Sequence, residues 1–264
     1  MLYPLRKIGF ICMGILLLSS CAVRSVYVPT SQDILLFDDK KQVQANAYVG
    51  SSQVELQLAH NPVKHLALRT NIDYGAGIAT YEGGLGTYGY NNNMKWRWEL
   101  QAGAGRTNNI SYLSSPAVNW FKHGNYNYET IGLYNKYYAQ PAFGFFSKID
   151  MYKINYAFIF SLRASYNDFK KFVYHEIDAD STALVKTNVY KVNREYTNKS
   201  MFIFEPCITN KVGVRNIYAV LQAQVIMPYS KQIDIRYTKF SPVFIFSAGI
   251  QYNFVFKTKS VPKA

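Results

Sequence analysis

The sequence is short of charged residues, of cysteine and of long apolar runs. Asp, Glu, Lys and Arg make up only 17% of its 264 residues, whereas about a quarter is usual for a soluble globular chain. No apolar run reaches the roughly 20 residues that a membrane-spanning helix needs, which excludes a multi-helix membrane protein. Aromatic residues, by contrast, make up 16% of the chain. This much apolar material must be buried in something, which excludes intrinsic disorder.

The first twenty residues have the pattern of an export signal. Arg6 and Lys7 precede an apolar stretch at 8–18, and such a stretch is too short to span a membrane. The residues that follow, Leu18-Ser19-Ser20-Cys21, resemble a bacterial lipobox. That resemblance implies that residues 1–20 are a lipoprotein signal peptide and that Cys21 carries lipid, such as palmitate. The alternative is an ordinary cleaved signal with a cysteine there by chance.

Export changes what the charge and the cysteines mean. The formal net charge of +13 first suggests nucleic acid, but an exported protein does not meet it, so we expect no nucleic-acid partner. Cys12 leaves with the signal and Cys21 is committed to lipid, which leaves Cys207 without a partner. We therefore expect no intramolecular disulfide and no cysteine-based metal site. No other metal site and no cofactor is expected either.

After a polar tether at 21–41, the chain is dominated by a period of two, which predicts strands. The last strand is the clearest: Phe244, Phe246, Ile250 and Tyr252 share one face, and Gln251 lies on the other. We find no second domain boundary, and expect one domain at 42–256 followed by a basic tail at 257–264. Ten strands are predicted, at 42–50, 53–60, 65–76, 79–90, 94–106, 134–147, 151–166, 199–210, 216–227 and 243–256.

Two classes of connection alternate between these strands. Short turns are predicted at 61–64, 91–93, 148–150 and 211–215. The longer loops are predicted at 107–133, 167–198 and 228–242, with tight connections at 51–52 and 77–78. Short turns at one end and longer loops at the other are typical of transmembrane β-barrels, whose strand number is even in single-chain bacterial cases. Lipid offers backbone groups no partner, so a sheet in a membrane must close. The pattern predicts an all-β fold, an antiparallel up-and-down transmembrane β-barrel of about ten strands.

The lipobox, the dyad repeat, the loop asymmetry and the aromatic last strand together resemble a lipidated outer-membrane β-barrel protein of Gram-negative bacteria. The resemblance covers residues 21–256 and implies a lipid-anchored protein of the cell outer membrane whose partner is membrane lipid. It departs from the family at its end, because eight residues follow Phe256. A soluble periplasmic β-barrel lipoprotein is the alternative, and it predicts an apolar interior with a polar exterior.

If the aromatic faces contact lipid, the opposite faces line a lumen. Both signs of charge occur there, and buried charges are tolerated when they are paired. We favour a polar ladder that fills a narrow barrel, since ten strands enclose little more than side chains; a solute path or a small polar site is the alternative. The predicted lumen network consists of Glu55, Arg69, Asp73, Arg97, Glu99, Arg163 and Glu205, with Gln222, Gln224, Gln251 and Asn253 beside it.

No catalytic motif stands out. The spacing shows no nucleophile with a base and an orienting group, no G-x-S-x-G elbow and no H-E-x-x-H helix. We therefore expect no enzymatic function. The alternative, a lipid- or peptide-hydrolysing outer-membrane enzyme, predicts that His123 or His175 meets a carboxylate and a hydroxyl at one rim. Near His175 the sequence offers Glu176, Asp178 and Asp180.

The basic residues collect at the short-turn end of the predicted barrel. We expect this rim to contact anionic inner-leaflet lipid, where each cation near the surface contributes about 1 kcal/mol. The long segments 107–133 and 167–198 are the expected contact surfaces for other partners; the sequence leaves the physiological ligand and the oligomeric state open. The cations of the short-turn end are Lys64, Lys95, Lys148, Lys153, Lys211, Arg215, Lys257, Lys259 and Lys263.

Overall fold

The structure is a computed structural model. It describes residues 27–32, 35, 37, 42–50, 53–75, 77–91, 95–114, 126–149, 154–178, 189–233 and 243–255. The predicted signal peptide, Cys21 and the basic tail lie outside these ranges. Within them, no helix is long and apolar enough to cross a membrane.

Ten antiparallel strands form one closed barrel, in which each strand pairs with its sequence neighbours and the last pairs with the first. This confirms the predicted fold. The strands are β1 (Gln42–Val49), β2 (Gln53–Val63), β3 (Leu66–Gly75), β4 (Ile78–Tyr90), β5 (Trp96–Ser114), β6 (Tyr126–Ile149), β7 (Ile154–Asp178), β8 (Val189–Val214), β9 (Ile217–Tyr229) and β10 (Val243–Val255).

The two ends of the barrel differ. We call the end with the Lys64–His65 and Arg215–Asn216 turns the turn end. The other end, where the connections 115–125, 179–188 and 230–242 lie between strands, is the long-loop end. This alternation matches the one that the sequence predicts.

The side chains follow the period of two, with polar residues inside and apolar residues outside. In β3 the buried positions include Arg69, Asn71 and Asp73, whereas Leu68 and Ile72 are exposed. Alternate residues of a strand point to opposite faces, so one register fixes both surfaces. Each of the ten strands contributes large exposed apolar side chains, among them Val49, Leu56, Leu68, Leu85, Leu100, Phe143, Phe160, Phe204, Met227 and Phe246.

Four strands are longer than the sequence predicts. β5 to β8 have 19, 24, 25 and 26 residues, so most of the predicted loops 107–133 and 167–198 is paired strand. On β6, β7 and β8 the prediction fails because bulges shift the phase of the alternation. Register shifts occur between Leu133 and Tyr134 and between Glu176 and Ile177, and three consecutive residues, 172–174, are buried.

A polar row marks where most of the exposed apolar surface ends on these four strands; Ile110 is an exposed apolar residue beyond it. Arg106 pairs with Asn135, Asn135 with Asp168, and Asp168 with Ser200. The strands continue past this row toward the long-loop end by eight to eleven residues each. We call the part beyond the row, residues 107–114, 126–134, 169–178 and 189–199, the extension.

The seam between β1 and β10 is tightly packed at Gly249. A Cβ atom there would lie 2.6 Å from the carbonyl oxygen of Ala47 and in contact with the ring of Tyr48. Gly249→Val should therefore lower the free energy of unfolding by about 1–3 kcal/mol, the usual cost of overpacking. The measurement is urea unfolding in detergent micelles. The fraction unfolded is read from the folded and unfolded bands on unheated gels.

The matched control is Ala248→Val, one position away. Its side chain points to the opposite face and is half-buried, so its stability should stay close to that of the unmodified protein. Equal stability of the two variants would contradict the seam geometry.

Candidate functional site

The lumen is occupied by the protein's own N-terminal segment. The described residues of this segment, Tyr27–Gln32, Leu35 and Phe37, are called the plug. All are buried except the half-buried Pro29, and Thr30 and Gln32 have no exposed surface. The sequence predicts a tether at 21–41 and offers no sign that part of it lies inside the barrel.

The centre of the plug lies against an ion-paired group on three strands. Lys136 Nζ of β6 lies 2.8 Å from Glu82 Oε1 of β4, and Arg163 Nη1 of β7 lies 3.7 Å from Glu82 Oε2. Lys136 Nζ donates to Thr30 Oγ1 at 3.2 Å, and Arg163 donates to the same hydroxyl. The Thr30 hydroxyl donates in turn to Glu82 Oε1 at 3.2 Å. One plug hydroxyl thus joins three charged groups of the wall.

The next plug residue is held through its backbone. The Ser31 amide donates to Glu55 Oε2 at 2.7 Å, and the Ser31 carbonyl accepts from Gln57 Nε2 at 2.8 Å and from Arg69 Nη2 at 3.2 Å. Buried backbone groups need partners, and here β2 and β3 supply them from side chains. This wall therefore binds the plug in place of a neighbouring strand.

Gln32 reaches the opposite wall. Its Nε2 donates to the Glu205 carbonyl at 2.5 Å, and its Oε1 accepts from Ser161 Oγ at 2.7 Å. Gln222 Nε2 donates to the Gln32 carbonyl at 2.7 Å. The pairing of β8 with β9 is interrupted between Phe204 and Cys207. Pro206 lies in that interruption, because proline cannot donate to a ladder, and the free Glu205 carbonyl faces the plug there.

Apolar clusters close both ends of the plug. At the long-loop end Tyr27 stacks on Tyr134, with ring centroids 5.8 Å apart. Leu35 and Phe37 pack at the turn end against Ala59, Ala67 and Tyr88. The polar middle is therefore shielded from both openings. The remaining buried residues of the long-loop cluster are Phe169, Phe172, Tyr174, Met201, Ile203, Ile226, Ile233 and Ile245.

The hydroxyl of Tyr27 joins the polar part of the plug. It donates to Glu205 Oε1 at 2.9 Å. Burial, and after it the charge of Glu205, raises the pKa of Tyr27 well above its usual value. The phenol therefore stays protonated and remains a hydrogen-bond donor.

The seven predicted network residues all face the lumen, six of them buried and Arg97 half-buried. Six contact the plug, four of them as described above. The other two bind its C-terminal part: Glu99 Oε2 accepts from the Leu35 amide at 2.9 Å, and Arg97 Nη1 donates to the Phe37 carbonyl at 3.1 Å. Asp73 is the seventh, and it lies opposite Glu55 in the β2–β3 register.

Three buried charges were not in the predicted network. Glu82 lies in the glycine-rich β4, where few side chains show the alternation, and Lys136 lies in β6 beside the polar Asn135. Lys211 was assigned to a turn at the basic rim, which is wrong: it lies in β8, is buried, and its Nζ donates to Gln251 Oε1 at 2.6 Å.

The remaining predicted sites stay untested. Lys64, Lys95 and Arg215 are exposed at the turn end, while Lys153 and the basic tail lie outside the described residues. The side chain of His175 is half-buried in the extension. His123, Asp180 and the side chains of Glu176 and Asp178 lie outside the described residues. The rim site that the enzyme alternative predicts is therefore untested. The described part of the chain holds no group of three or more potential metal ligands.

Comparisons with known proteins return distant likenesses of shape. No protein-family model matches the sequence, and no curated protein does. Among solved structures, the KdgM porin is 8% identical with a TM-score of 0.31, and the alignment covers 81% of this chain and 99% of the other. LpxR from Salmonella typhimurium is 9% identical with a TM-score of 0.34, covering 80% and 99%. Omp33 of Acinetobacter baumannii is 9% identical with a TM-score of 0.27, covering 82% and 98%. Likenesses at this level carry no functional argument.

Two lysine–carboxylate pairs of equal length test the energetics of the lumen. Lys136 and Glu82 are 2.8 Å apart and almost fully buried. Lys170 and Asp168 are also 2.8 Å apart, but Lys170 is exposed and Asp168 is only half-buried. Lys136→Met should lower the free energy of unfolding by about 3–5 kcal/mol, because it leaves a buried carboxylate short of a partner. Lys170→Met should change it by less than about 1 kcal/mol.

The measurement is urea unfolding of both variants in the same detergent. Glu82→Gln in the Lys136→Met background should recover part of the loss, because it removes the stranded charge. Similar losses for the two lysine variants, or no recovery in the double variant, would contradict the assigned role of the pair.

Proposed function

We propose that this protein is an outer-membrane β-barrel lipoprotein whose lumen is sealed by its own N-terminal segment. Its role is structural and interactive, without enzymatic activity: the barrel anchors the extension at the cell surface, where it contacts partners. The observation that carries the proposal is the inverted burial, with apolar side chains exposed on all ten strands and charged side chains buried in the lumen.

The height of the apolar surface fits a bilayer. On β5 it runs from Trp96 to Arg106, and on β6 from Phe145 to Asn135, eleven residues in each case with both ends included. A strand tilted through the hydrocarbon core needs about 9–11 residues. Trp96 and Trp98 lie at its turn end, where aromatic residues of membrane barrels meet the headgroups.

The soluble alternative predicts the opposite arrangement of faces. A periplasmic barrel buries its apolar side chains and exposes its polar ones, yet Phe160 is 52% exposed while its neighbour Ser161 is 1% exposed. Exposed apolar patches of more than a few hundred Å² are rare on soluble monomers. The exterior of this barrel therefore favours lipid as its surroundings.

The sealed lumen supports a structural role over conduction. The plug binds the wall through Thr30, Ser31 and Gln32, and apolar clusters cover it at both ends. A solute would have to displace these contacts. The extension then provides a larger surface for partners than the plugged lumen does. Glu195 and Lys199 on β8 are exposed there.

The proposal includes lipid in two places, as a modification of Cys21 and as a contact of the turn end. Cys21 is the proposed lipidation site, on the strength of the lipobox. At the turn end, which in membrane barrels is the periplasmic end, the exposed Lys64, Lys95 and Arg215 are placed to meet anionic inner-leaflet lipid.

We call the exposed apolar surface, which on β5 lies between Trp96 and Arg106, the apolar belt. A charge placed in this belt distinguishes the membrane proposal from the soluble alternative. Leu100 is 49% exposed midway along the belt, and Ile110 is 43% exposed beyond the polar row. Leu100→Arg should lower the folding stability in lipid vesicles by about 2–4 kcal/mol, the cost at a bilayer midplane, and Ile110→Arg by about 0–1. The measurement is denaturant unfolding in vesicles, accompanied by heat-modifiable migration of the unmodified protein on gels. A neutral effect of Leu100→Arg, or recovery of the protein in the soluble fraction, would refute the proposal.

Planar-bilayer recording tests the sealed lumen. The unmodified protein should show no stepwise conductance, because the plug fills the path. Deletion of residues 27–37 should produce stepwise openings. Thr30→Ala with Gln32→Ala, which keeps the segment but removes the side-chain hydrogen bonds of these two residues, should produce brief ones. Steady channels in the unmodified protein would show that the lumen conducts.

A further inference from the structure

We infer that the N-terminal segment is threaded through the barrel toward the turn end, so that the chain before Tyr27, with Cys21, emerges at the long-loop end. This inference rests on the proposed function, under which the long-loop end is the cell surface. It places the lipid anchor in the outer leaflet, on the side opposite to the periplasm.

The contacts with β6 give the direction of the first half of the plug. β6 runs from the long-loop end to the turn end. Its Tyr134 hydroxyl accepts from the Val28 amide at 3.0 Å, and two residues further down its Lys136 Nζ donates to the Thr30 hydroxyl at 3.2 Å. Plug and strand therefore descend together.

The contacts with β5 give the direction of the second half. β5 runs the opposite way, beginning at the turn end at Trp96. Glu99 accepts from the Leu35 amide, and Arg97, closer to that end, donates to the Phe37 carbonyl. Phe37 thus lies below Leu35 and next to the turn end.

The start of β1 agrees with this path. Gln42 pairs with Val255, the last residue of β10, and the Gln42 amide donates to Asn61 Oδ1 at 2.6 Å, near the β2–β3 turn. β1 therefore begins at the turn end, which is the end next to which Phe37 lies.

Chain length then restricts the position of Cys21. Tyr27 lies in the apolar cluster of the long-loop end, and Cys21 precedes it by six residues. Six residues reach at most about 20 Å when fully extended, whereas the hydrocarbon core is about 30 Å thick. The lumen below Tyr27 is already filled by the plug. A lipid on Cys21 consequently enters the leaflet beside the long-loop end.

Tagged proteins in intact cells test the threading. A site for a sequence-specific protease is inserted between Ser25 and Val26, and in separate proteins within 179–188 and between Lys64 and His65. Added protease should cut the site after Ser25 and the site within 179–188 on intact cells. It should cut the site between Lys64 and His65 only after the cells are permeabilised. Only protein that shows the heat-modifiable folded band is scored, so misfolded insertions do not enter the comparison.

Each outcome has one meaning. Cutting after Ser25 only in permeabilised cells, with the 179–188 site cut on intact cells, overturns the threading and leaves the membrane barrel standing. Cutting at Lys64–His65 but not at 179–188 on intact cells would show that the turn end, and not the long-loop end, lies at the cell surface. The proposed position of the lipid anchor in the outer leaflet would then be wrong. Recovery of all three proteins in the soluble fraction refutes the proposed function itself.

A second insertion variant guards against displacement of the plug by the tag. The site is moved to between Ala22 and Val23, three residues further from Tyr27 than the first insertion, and the same pattern of cutting is expected. If this variant is protected on intact cells while the loop site is cut, the threading is again refuted.

Discussion

The rest of this structure depends on neutralising charge inside a narrow barrel. Glu82 has no exposure to bulk water that could stabilise its carboxylate, and its charge is balanced by Lys136 and Arg163 around the hydroxyl of Thr30. These groups come from β4, β6, β7 and the plug, so they meet only when the barrel is closed around the segment. Closure of the sheet brings the three charged groups together, and occupation of the lumen then adds the Thr30 hydroxyl as a hydrogen-bond partner for all three.

The exterior follows from the same constraint. A strand's period of two leaves no freedom to choose its faces separately: once Arg69 and Asp73 point inward, Leu68 and Ile72 must point outward. The pairing of β1 with β10 closes the sheet, so that neither strand is left with an unpaired edge. An interior of paired charge, an exterior of apolar side chains and a closed ladder are three aspects of one arrangement.

The sequence predicted those parts of the fold in which alternation is unbroken. β3, β9 and β10 were recognised because inward and outward residues strictly alternate, and the same reasoning placed Glu55, Arg163 and Glu205 in the lumen. On β6, β7 and β8 the extension was missed because bulges near Tyr134 and Ile177 shift the phase, so that inward and outward residues no longer alternate in one register. β5 has no such shift, but its outward residues Arg106 and Asn108 are polar, so the apolar face on which the prediction relies is interrupted there.

The plug was missed for a different physical reason. An extended segment surrounded by wall on all sides has no exposed face, so neither a dyad nor a helical period distinguishes it, and its Thr30, Ser31 and Gln32 look like a polar linker. Lys211 was misplaced because a cation beside a predicted turn resembles a rim residue. Its partner Gln251 is 40 residues away, and only the pairing through β9 brings the two strands near each other.

The distribution of contacts along the plug also decides what kind of element it is. A gate needs a second position of similar energy, and therefore one side from which it can detach. Here Ser31 is bound through its backbone by one wall, while Gln32 is bound by the opposite wall. If the plug moved toward one wall, it would lose its hydrogen bonds to the opposite wall. The unpaired polar groups left in the low-dielectric interior would be costly. The segment thus behaves as part of the wall.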